Sequence, residues 1–208
     1  MTDSSHRLPI TAVILAGGRA TRMGGQDKGL VELAGRPMIA HVLAALAPQV
    51  EWLVINANRN LDRYAGFGWP VVRDEDTGFL GPLAGLAAGL AAASTELVLT
   101  APCDSPMLPP DLAGRLHAAL RAQEAEIAVP HDGERLQPVF MLVRREVQPS
   151  LEAYLHGGDR KIDLWFRQHR VAEVDFADLP DTFVNVNDPE ERRSVEQRLA
   201  GRAPGQER

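Results

Sequence analysis

Short runs of β-branched and aliphatic residues alternate with helical segments along the first half of the chain, and this alternation constrains the fold more than any other feature. The first run, residues 10–15, is nearly all apolar and rich in Val and Ile, which is typical of a strand buried on both faces. Such alternation predicts a mainly parallel central sheet with helices on both faces. The expected fold class is therefore α/β.

The same patterns predict the individual strands and helices. The strands are expected at residues 10–15, 52–56, 70–73, 97–100, 127–129, 139–143, 171–174 and 183–186. The helices are expected at residues 37–46, 83–92, 110–122, 146–155, 162–168 and 189–199. Asp188, directly before Pro189, has the chemistry of an N-cap for the last helix.

Length and composition suit one domain. The 208 residues, 45% of them hydrophobic and 24% charged, are enough to bury a core. We expect the domain to cover residues 1–200 and a polar, disordered tail to cover 201–208. Residues 1–9 contain no signal-peptide core, and no apolar run approaches the ~20 residues of a membrane helix. These features predict a cytoplasmic protein without a membrane partner.

Charge and cysteine content argue against other classes. The formal net charge of −6 argues against a nucleic-acid partner, because duplex-binding proteins present a broad positive surface. A small anionic ligand remains compatible, since backbone amides and a few cations can bind it within an acidic chain. The single cysteine, Cys103, allows neither an internal disulfide nor a thiolate zinc site. We expect Cys103 to be a small buried residue rather than a nucleophile.

A glycine-rich loop follows the first predicted strand. Five glycines fall between Gly17 and Gly29, and Arg22 and Lys28 lie in the same segment. In an open α/β sheet, ligands bind beyond the carboxyl ends of the strands. Glycines let backbone amides approach an anion closely, and the two cations can neutralise phosphate charge. A mobile surface loop is the alternative, but the position after a buried strand favours phosphate binding.

The loop matches neither of two common phosphate-binding motifs. Lys28 does not follow a glycine and is not followed by Ser or Thr, so the loop is not a Walker motif. The pair Gly17 and Gly18 lacks the glycine spacing of the dinucleotide fingerprint. The first difference argues against a P-loop NTPase, and the second argues against a dehydrogenase.

The loop instead resembles the signature loop of nucleotidylyltransferases. It contains Leu-Ala-Gly-Gly at residues 15–18, then Arg-Met-Gly at 22–24 and a lysine at position 28. Asp27, directly before that lysine, makes it similar to the molybdenum cofactor guanylyltransferase family. The resemblance continues in order through residues 54–58, 73–74, 81–85, 102–106 and 185–189, and spans about residues 11–199. It implies a single, Rossmann-like α/β domain.

The resemblance also implies a reaction. A family member would transfer GMP from GTP to the terminal phosphate of molybdopterin with Mg²⁺ as cofactor, and would release pyrophosphate. Other molybdenum cofactor biosynthesis proteins and acceptor molybdoenzymes would be its protein partners. The implied GTP-binding residues are Leu15, Ala16, Gly17, Gly18, Lys28, Asn56, Asp74 and Asp104. The implied catalytic residues are Arg22, Lys28 and Asp104, with Asp104 as the metal ligand.

The acidic and amide positions each have a simpler alternative. Asp104 follows a predicted buried strand, and it could merely form a turn before Pro106 rather than hold a metal. Asn56 ends a predicted strand, and Asp74 lies in an acidic stretch that could simply be solvated. The resemblance favours nucleotide contacts for Asn56 and Asp74, but which of them contacts the base stays open.

The acceptor side of the site is also assigned by resemblance. Gly81, Asn185 and Asn187 would lie on the side of the pterin substrate. The two asparagines could instead only end a strand and cap the last helix, and Gly89 is expected to pack its helix on the sheet. Gln137, Arg160 and Lys161 also match substrate-side regions of the family, but less closely. For Arg160 and Lys161, a solvated basic pair is the commoner explanation.

Other nucleotidylyltransferase activities, and one role without catalysis, remain as alternatives. Gly18 favours GTP, because cytidylyl relatives usually carry Ala there and its methyl group would narrow the space beside the base. A cytidylyltransferase, a sugar-phosphate nucleotidylyltransferase and a non-catalytic nucleotide-binding protein are the alternatives. The combination of Arg22, Lys28 and Asp104 argues against the last, since a sensor has no need of a metal carboxylate.

Overall fold

Nine strands and seven helices make up the regular structure of the described residues. The computed structural model describes residues 7–17, 27–75, 81–179 and 181–201. The strands are β1 (Leu8–Leu15), β2 (Glu32–Leu33), β3 (Arg36–Pro37), β4 (Val50–Asn56), β5 (Val71–Val72), β6 (Leu97–Pro102), β7 (Ile127–His131), β8 (Leu142–Arg144) and β9 (Val171–Asp175). The helices are α1 (Met38–Leu46), α2 (Leu61–Ala65), α3 (Pro82–Ala92), α4 (Leu112–Ala122), α5 (Gln148–His156), α6 (Ile162–Phe166) and α7 (Pro189–Gly201).

Seven of the strands form one mainly parallel sheet in the order β5-β4-β1-β6-β8-β7-β9. The pairs β4–β5, β1–β4, β1–β6 and β7–β9 are parallel. Only β8 runs against its neighbours, β6 and β7. The α/β fold class with a mainly parallel sheet is therefore confirmed.

Strand β1 lies at the centre of the structure because it is apolar on both faces. Its residues Ile10, Ala12, Val13 and Ile14 are fully buried. Alternate side chains of a strand point to opposite faces. Accordingly Ile14 packs in the cluster that contains residues of α1 and α4, whereas Val13 packs in the cluster that contains residues of α3, α5 and α6. Helices thus cover both faces of the sheet, as predicted.

A smaller cluster attaches the last helix to the rest of the fold. Buried residues of the β2–β3 hairpin and of α1 pack there against Val186 and Val195. The N-terminus of α7 is capped by Asp188, whose Oδ1 accepts hydrogen bonds from the backbone amides of Glu190 and Glu191. The predicted cap is therefore confirmed, and it sets where the chain turns into α7.

The strand predicted at residues 183–186 is wrong. This segment forms no strand and joins no sheet. Val186 is fully buried and donates its amide to the carbonyl of Asp104, so one hydrogen bond and apolar packing hold the segment in place of a ladder. Apolar residues in an extended stretch gave the strand-like pattern, but the pattern does not distinguish a packed loop from a paired strand.

Several boundaries also differ from the predictions. The strand expected at 139–143 begins only at Leu142, because the preceding residues form a turn in which Phe140 donates to the carbonyl of Gln137. The hairpin β2–β3 and the short helix α2 were not predicted. Helix α7 continues to Gly201, and residues 202–208 of the expected tail lie outside the described residues. No helix within the described ranges is long and apolar enough to cross a bilayer.

Helix α3 lies directly on β1 because Gly89 faces the sheet. A Cβ at position 89 would overlap Val13 Cγ2 and lie 3.0 Å from Val13 Cγ1. Val13 is fully buried, so it has no free space into which to move. This geometry confirms the packing role expected for Gly89.

We therefore expect Gly89→Ala to lower the free energy of unfolding by about 1–3 kcal/mol, because overpacking a rigid core outweighs the helix propensity of alanine. Gly114→Ala in α4 is the matched control, since a Cβ there has no atom within 4 Å. The control should leave stability unchanged or raise it by up to about 1 kcal/mol. Denaturant unfolding of both variants measures this, and equal effects would show that α3 does not contact β1 so closely.

Candidate active site

The carboxyl ends of three neighbouring strands meet at one edge of the sheet. In the β-sheet register, Leu15 at the end of β1 lies between Asn56 of β4 and Pro102 of β6. Backbone hydrogen bonds join the ends: Ala16 donates to the carbonyl of Asn56 at 2.8 Å, and Cys103 donates to the carbonyl of Leu15 at 3.1 Å. A cleft of about 350 Å³ opens at this edge. Such an edge is where α/β sheets bind ligands.

Lys28 is the central cation of the described part of the cleft. Its Nζ donates to Asp104 Oδ2 at 3.0 Å and to Asn187 Oδ1 at 2.7 Å. The residue begins a 3-10 helical turn at Lys28–Leu30, whereas Asp104 follows β6. The ammonium group therefore links two segments that are far apart in the sequence. It also sits where it can exchange these partners for a phosphate group.

Asn187 reaches Lys28 because the last helix positions it. The Asn187 backbone amide donates a hydrogen bond to the side chain of Glu191, at 2.6 Å from Oε2, and Glu191 lies in the first turn of α7. Between the two asparagines, Val186 is fully buried, so Asn185 and Asn187 lie on the outer side of the segment. Asn185 hydrogen-bonds Ser105 through its Oδ1 and lines the cleft.

A second polar group forms at the end of β4. Asn56 donates its Nδ2 to Asp74 Oδ1 at 2.8 Å, and Asn58 donates its Nδ2 to Asp74 Oδ2 at 2.8 Å. The Asp74 backbone amide in turn donates to Asn58 Oδ1 at 3.0 Å. Both carboxylate oxygens are thereby held in fixed positions and retain lone pairs for a ligand. Asn58 belongs to the motif at residues 54–58 but was not predicted as a site residue.

Glycines let the backbone approach this polar group. A Cβ at Gly85 of α3 would lie 2.6 Å from both Asn56 Oδ1 and Leu15 Cδ2, and one at Gly17 would lie 3.1 Å from Asn58 Nδ2. Gly81 precedes α3 with a φ of +83°, which L-residues rarely adopt. Contact with Asn56 and Leu15 therefore favours glycine at position 85, and the positive φ favours it at position 81.

A buried carboxylate, Asp27, lies directly before Lys28 in the chain and lines the same cleft. Asp27 accepts a hydrogen bond from the Tyr64 hydroxyl at 2.5 Å and from Asn60 Nδ2 at 2.9 Å. Arg59 Nε lies 3.3 Å from Asp27 Oδ2, and both Asp27 and Arg59 line the cleft. Arg59 was not among the predicted site residues. The only signal for it was its place directly after the motif at residues 54–58.

Comparison with known proteins decides the family. A family model described as the MobA-like NTP transferase domain matches residues 12–174. The chain belongs to this family. A molybdenum cofactor guanylyltransferase of Shewanella sp. (strain MR-4) is 54% identical over 188 residues, which cover 90% of this chain and 95% of that protein. One from Shewanella amazonensis is 53% identical over 192 residues, which cover 92% and 98%.

The fold of the MobA-like family is also found among solved structures. Molybdopterin-guanine dinucleotide biosynthesis protein A from Archaeoglobus fulgidus superposes with a TM-score of 0.77 at 21% identity, covering 92% of this chain and 99% of that one. The Rossmann-like architecture implied by the sequence motifs is therefore confirmed.

The cleft brings together most of the residues predicted for it. The predicted residues that line it are Leu15, Ala16, Gly17, Lys28, Asn56, Asp74, Gly81, Asp104 and Asn185. Asn187 joins them through its hydrogen bond to Lys28. Gly18 and Arg22 lie outside the described residues. Gln137, Arg160 and Lys161 do not line the cleft, and Arg160 donates instead to the carbonyl of Leu155.

The charges of the cleft suit a MobA-like enzyme that binds its nucleotide together with a divalent cation. Lys28 and Arg59 are the cations of the described lining, and Asp27, Asp74 and Asp104 are its carboxylates. A triphosphate therefore needs further positive charge here. Within the ranges that the structure describes, no three His, Cys, Asp or Glu side chains are grouped to hold a metal by themselves. A metal at Asp104 would need phosphate oxygens and water as its other ligands, as Mg²⁺ commonly does.

Cys103 is a small buried residue at the cleft, as predicted. It is 7% exposed, and burial raises the pKa of its thiol well above the ordinary value. A thiolate is the reactive form of cysteine, so this environment suppresses reactivity.

We expect Cys103 in the folded protein to react with a chromogenic disulfide reagent at pH 8 at least about 100-fold more slowly than in denaturant, because a local opening that costs about 3 kcal/mol must come first. The measurement is unambiguous since the chain has one cysteine. Comparable rates in the folded and unfolded protein would contradict the burial of this thiol.

Proposed function

We propose that this protein is a Mg²⁺-dependent guanylyltransferase, which transfers GMP from GTP to the terminal phosphate of molybdopterin. The products are pyrophosphate and the dinucleotide form of the cofactor. The observation that carries the proposal is the single cleft in which Lys28 and Asp104 lie 3.0 Å apart and the Asn56–Asp74 pair faces the same space. Relatives named molybdenum cofactor guanylyltransferase, 53–54% identical over nearly the whole chain, support the choice of substrates.

The chemistry is an in-line displacement at the α-phosphorus of GTP. A terminal phosphate oxygen of the acceptor forms the new P–O bond, and the bond from the α-phosphorus to the bridging oxygen breaks. That oxygen leaves with the electron pair as part of pyrophosphate. The attacking phosphate is already an anion, so no strong general base is needed. Catalysis then depends on alignment and on neutralising the charge of the phosphates.

Lys28 and Asp104 have complementary roles in this proposal. The Lys28 ammonium, together with Arg22, stabilises the charge on the departing pyrophosphate. Asp104 would hold Mg²⁺, which would supply charge neutralisation and alignment of the phosphate oxygens. Its carboxylate suits this ion because Mg²⁺ prefers oxygen ligands and retains waters and phosphate oxygens around it. Lys28 Nζ donates to Asp104 Oδ2, so the carboxylate that would hold the ion also orients the lysine.

The remaining residues divide between the two substrates. Leu15, Ala16, Gly17 and Gly18 are assigned to the GTP, because backbone amides that follow a buried strand bind phosphate groups. Asn56 and Asp74 contact the nucleoside, and the fixed carboxylate of Asp74 suits two-point hydrogen bonding to a guanine edge. Gly81, Asn185 and Asn187 face the pterin.

We expect Lys28→Ala and Asp104→Ala to fold but to lose at least a few hundredfold in turnover, which corresponds to ~3–4 kcal/mol of transition-state stabilisation. Pyrophosphate release under saturating substrates measures the loss, and thermal unfolding checks the fold. Asp62→Ala, which removes an exposed carboxylate from α2, is the control and should keep the wild-type rate. A near-wild-type rate for either site variant would remove that residue from the mechanism.

Nucleotide choice gives the decisive test of the function. Pyrophosphate release should occur with GTP and should depend on added molybdopterin and Mg²⁺, with far lower rates for ATP, CTP and UTP. Preference for CTP would identify a cytidylyltransferase, and turnover with a sugar phosphate in place of molybdopterin would identify a sugar-phosphate enzyme. Nucleotide binding without any release of pyrophosphate would identify a non-catalytic binding protein.

The cellular location and the macromolecular partners of the protein stay predictions. They are a cytoplasmic location, the absence of nucleic-acid and membrane partners, and contacts with other molybdenum cofactor biosynthesis proteins and acceptor molybdoenzymes. The domain bounds of 1–200, with a tail at 201–208, likewise stay a prediction.

A further inference from the structure

Arg59 lies in the cleft in an unusual arrangement for a paired arginine. Its Nε is 3.3 Å from Asp27 Oδ2, yet this buried nitrogen makes no well-directed hydrogen bond to any residue that the structure describes. The side chain is 32% exposed and lines the same cleft as Lys28. The side chain is therefore held near Asp27 by charge while about a third of its surface stays exposed.

The carboxylate that holds Arg59 is itself fixed. The Asp27 side chain is 5% exposed, and its oxygens accept hydrogen bonds from the Tyr64 hydroxyl and from Asn60 Nδ2. Burial raises the pKa of Tyr64, so this hydroxyl stays protonated and remains a donor. A buried carboxylate is costly unless it is paired and hydrogen-bonded. Asp27 meets this condition and thus provides a rigid negative charge behind Arg59.

A second arginine shows what a purely structural ion pair looks like in this protein. Arg115 donates from Nη1 and Nη2 to both oxygens of Asp178 at 2.7 Å, and from Nε to Asp111 at 2.8 Å. All three of its nitrogens are occupied by carboxylates. Arg59, by contrast, approaches Asp27 through Nε, and its two terminal nitrogens make no hydrogen bond to any residue within the described ranges, so they can serve another anion. The planar pair of terminal nitrogens matches the geometry of a phosphate group.

We propose that Arg59 is a further phosphate-binding residue of this cleft and that Asp27 is the residue that positions it. The ligand group is the triphosphate of the nucleotide, so the inference rests on the proposed function and adds a residue to it. Among the described lining residues, Arg59 and Lys28 are the two cations available to a triphosphate, against three carboxylates. Asp27 is also the residue directly before Lys28, so the carboxylate that holds Arg59 lies next to the other cation in the chain.

Calorimetric binding of inorganic tripolyphosphate, GTP and guanosine, each with Mg²⁺, tests the role of Arg59. Arg59→Gln should weaken binding of tripolyphosphate and GTP about 10–100-fold, as expected for loss of a hydrogen-bonded charge pair, and should leave guanosine binding unchanged. Arg59→Lys should restore only part of the affinity, because a lysine lacks the planar pair of donors. Arg63→Gln, which removes the same charge from an exposed position of α2, is the matched control and should change none of the three affinities.

Three results would overturn the assignment to Arg59. Unchanged tripolyphosphate binding in Arg59→Gln would mean that the side chain only joins two loops. An equal loss for guanosine and tripolyphosphate, or an equal loss in Arg63→Gln, would mean a general structural or long-range charge effect. Thermal unfolding of each variant separates these cases from loss of the fold.

A double-mutant cycle tests the positioning role of Asp27. Asp27→Asn should weaken tripolyphosphate binding several-fold in the wild-type background and should have no further effect in the Arg59→Gln background. Tyr64→Phe, which removes one donor to Asp27, provides a milder version of the same test if Asp27→Asn does not fold. Independent, additive losses would show that Asp27 does not act through Arg59.

The same measurements separate this inference from the proposed function. If the wild-type protein binds tripolyphosphate through Arg59 but releases no pyrophosphate from GTP and molybdopterin, the function fails and the binding role of Arg59 stands. If guanylyl transfer occurs and Arg59→Gln binds tripolyphosphate normally, the function stands and the role of Arg59 fails.

Discussion

The site depends on the parallel pairing of β1 with β4 on one side and β6 on the other. This pairing ends all three strands at the same edge, with Leu15 between Asn56 and Pro102. Gly17, Asn56 and Asp104, which lie at or just after the ends of these strands, are far apart in sequence but line one cleft. Backbone hydrogen bonds that continue past the strands hold the ends together, so the cleft has a rigid floor.

Lys28 connects the two halves of this cleft. One partner, Asp104, belongs to the half assigned to the nucleotide and metal, and the other, Asn187, belongs to the half assigned to the acceptor. The position of Asn187 in turn depends on the capped start of α7 and on the packing of Val186. A displacement at phosphorus needs both substrates at a fixed separation, and a shared contact between the halves serves that need. Next to Lys28 in the chain, the buried Asp27 is held by the Tyr64 hydroxyl, by Asn60 and by Arg59.

Sequence patterns were reliable where burial on both faces or a strict loop motif determined the residues. The apolar run of β1 and the glycine loop behind it predicted the sheet edge, and the N-cap at Asp188 predicted the start of α7. The patterns failed at residues 183–186, because packing under a helix and pairing in a sheet require the same apolar residues. They also missed Arg59, since a charged residue after a strand is ordinarily a solvated loop residue.

The sequence by itself determined the fold class, the family resemblance and most members of the site, because buried strands and phosphate-binding loops demand particular residue types at short spacing. Only the tertiary structure decided which of these residues touch one another. It joined Lys28 to Asn187, tied Asp74 to two asparagines and placed Asp27 beneath Arg59. Such contacts depend on register, on helix packing and on the direction of single side chains, and these arise from interactions between distant segments that no local pattern records.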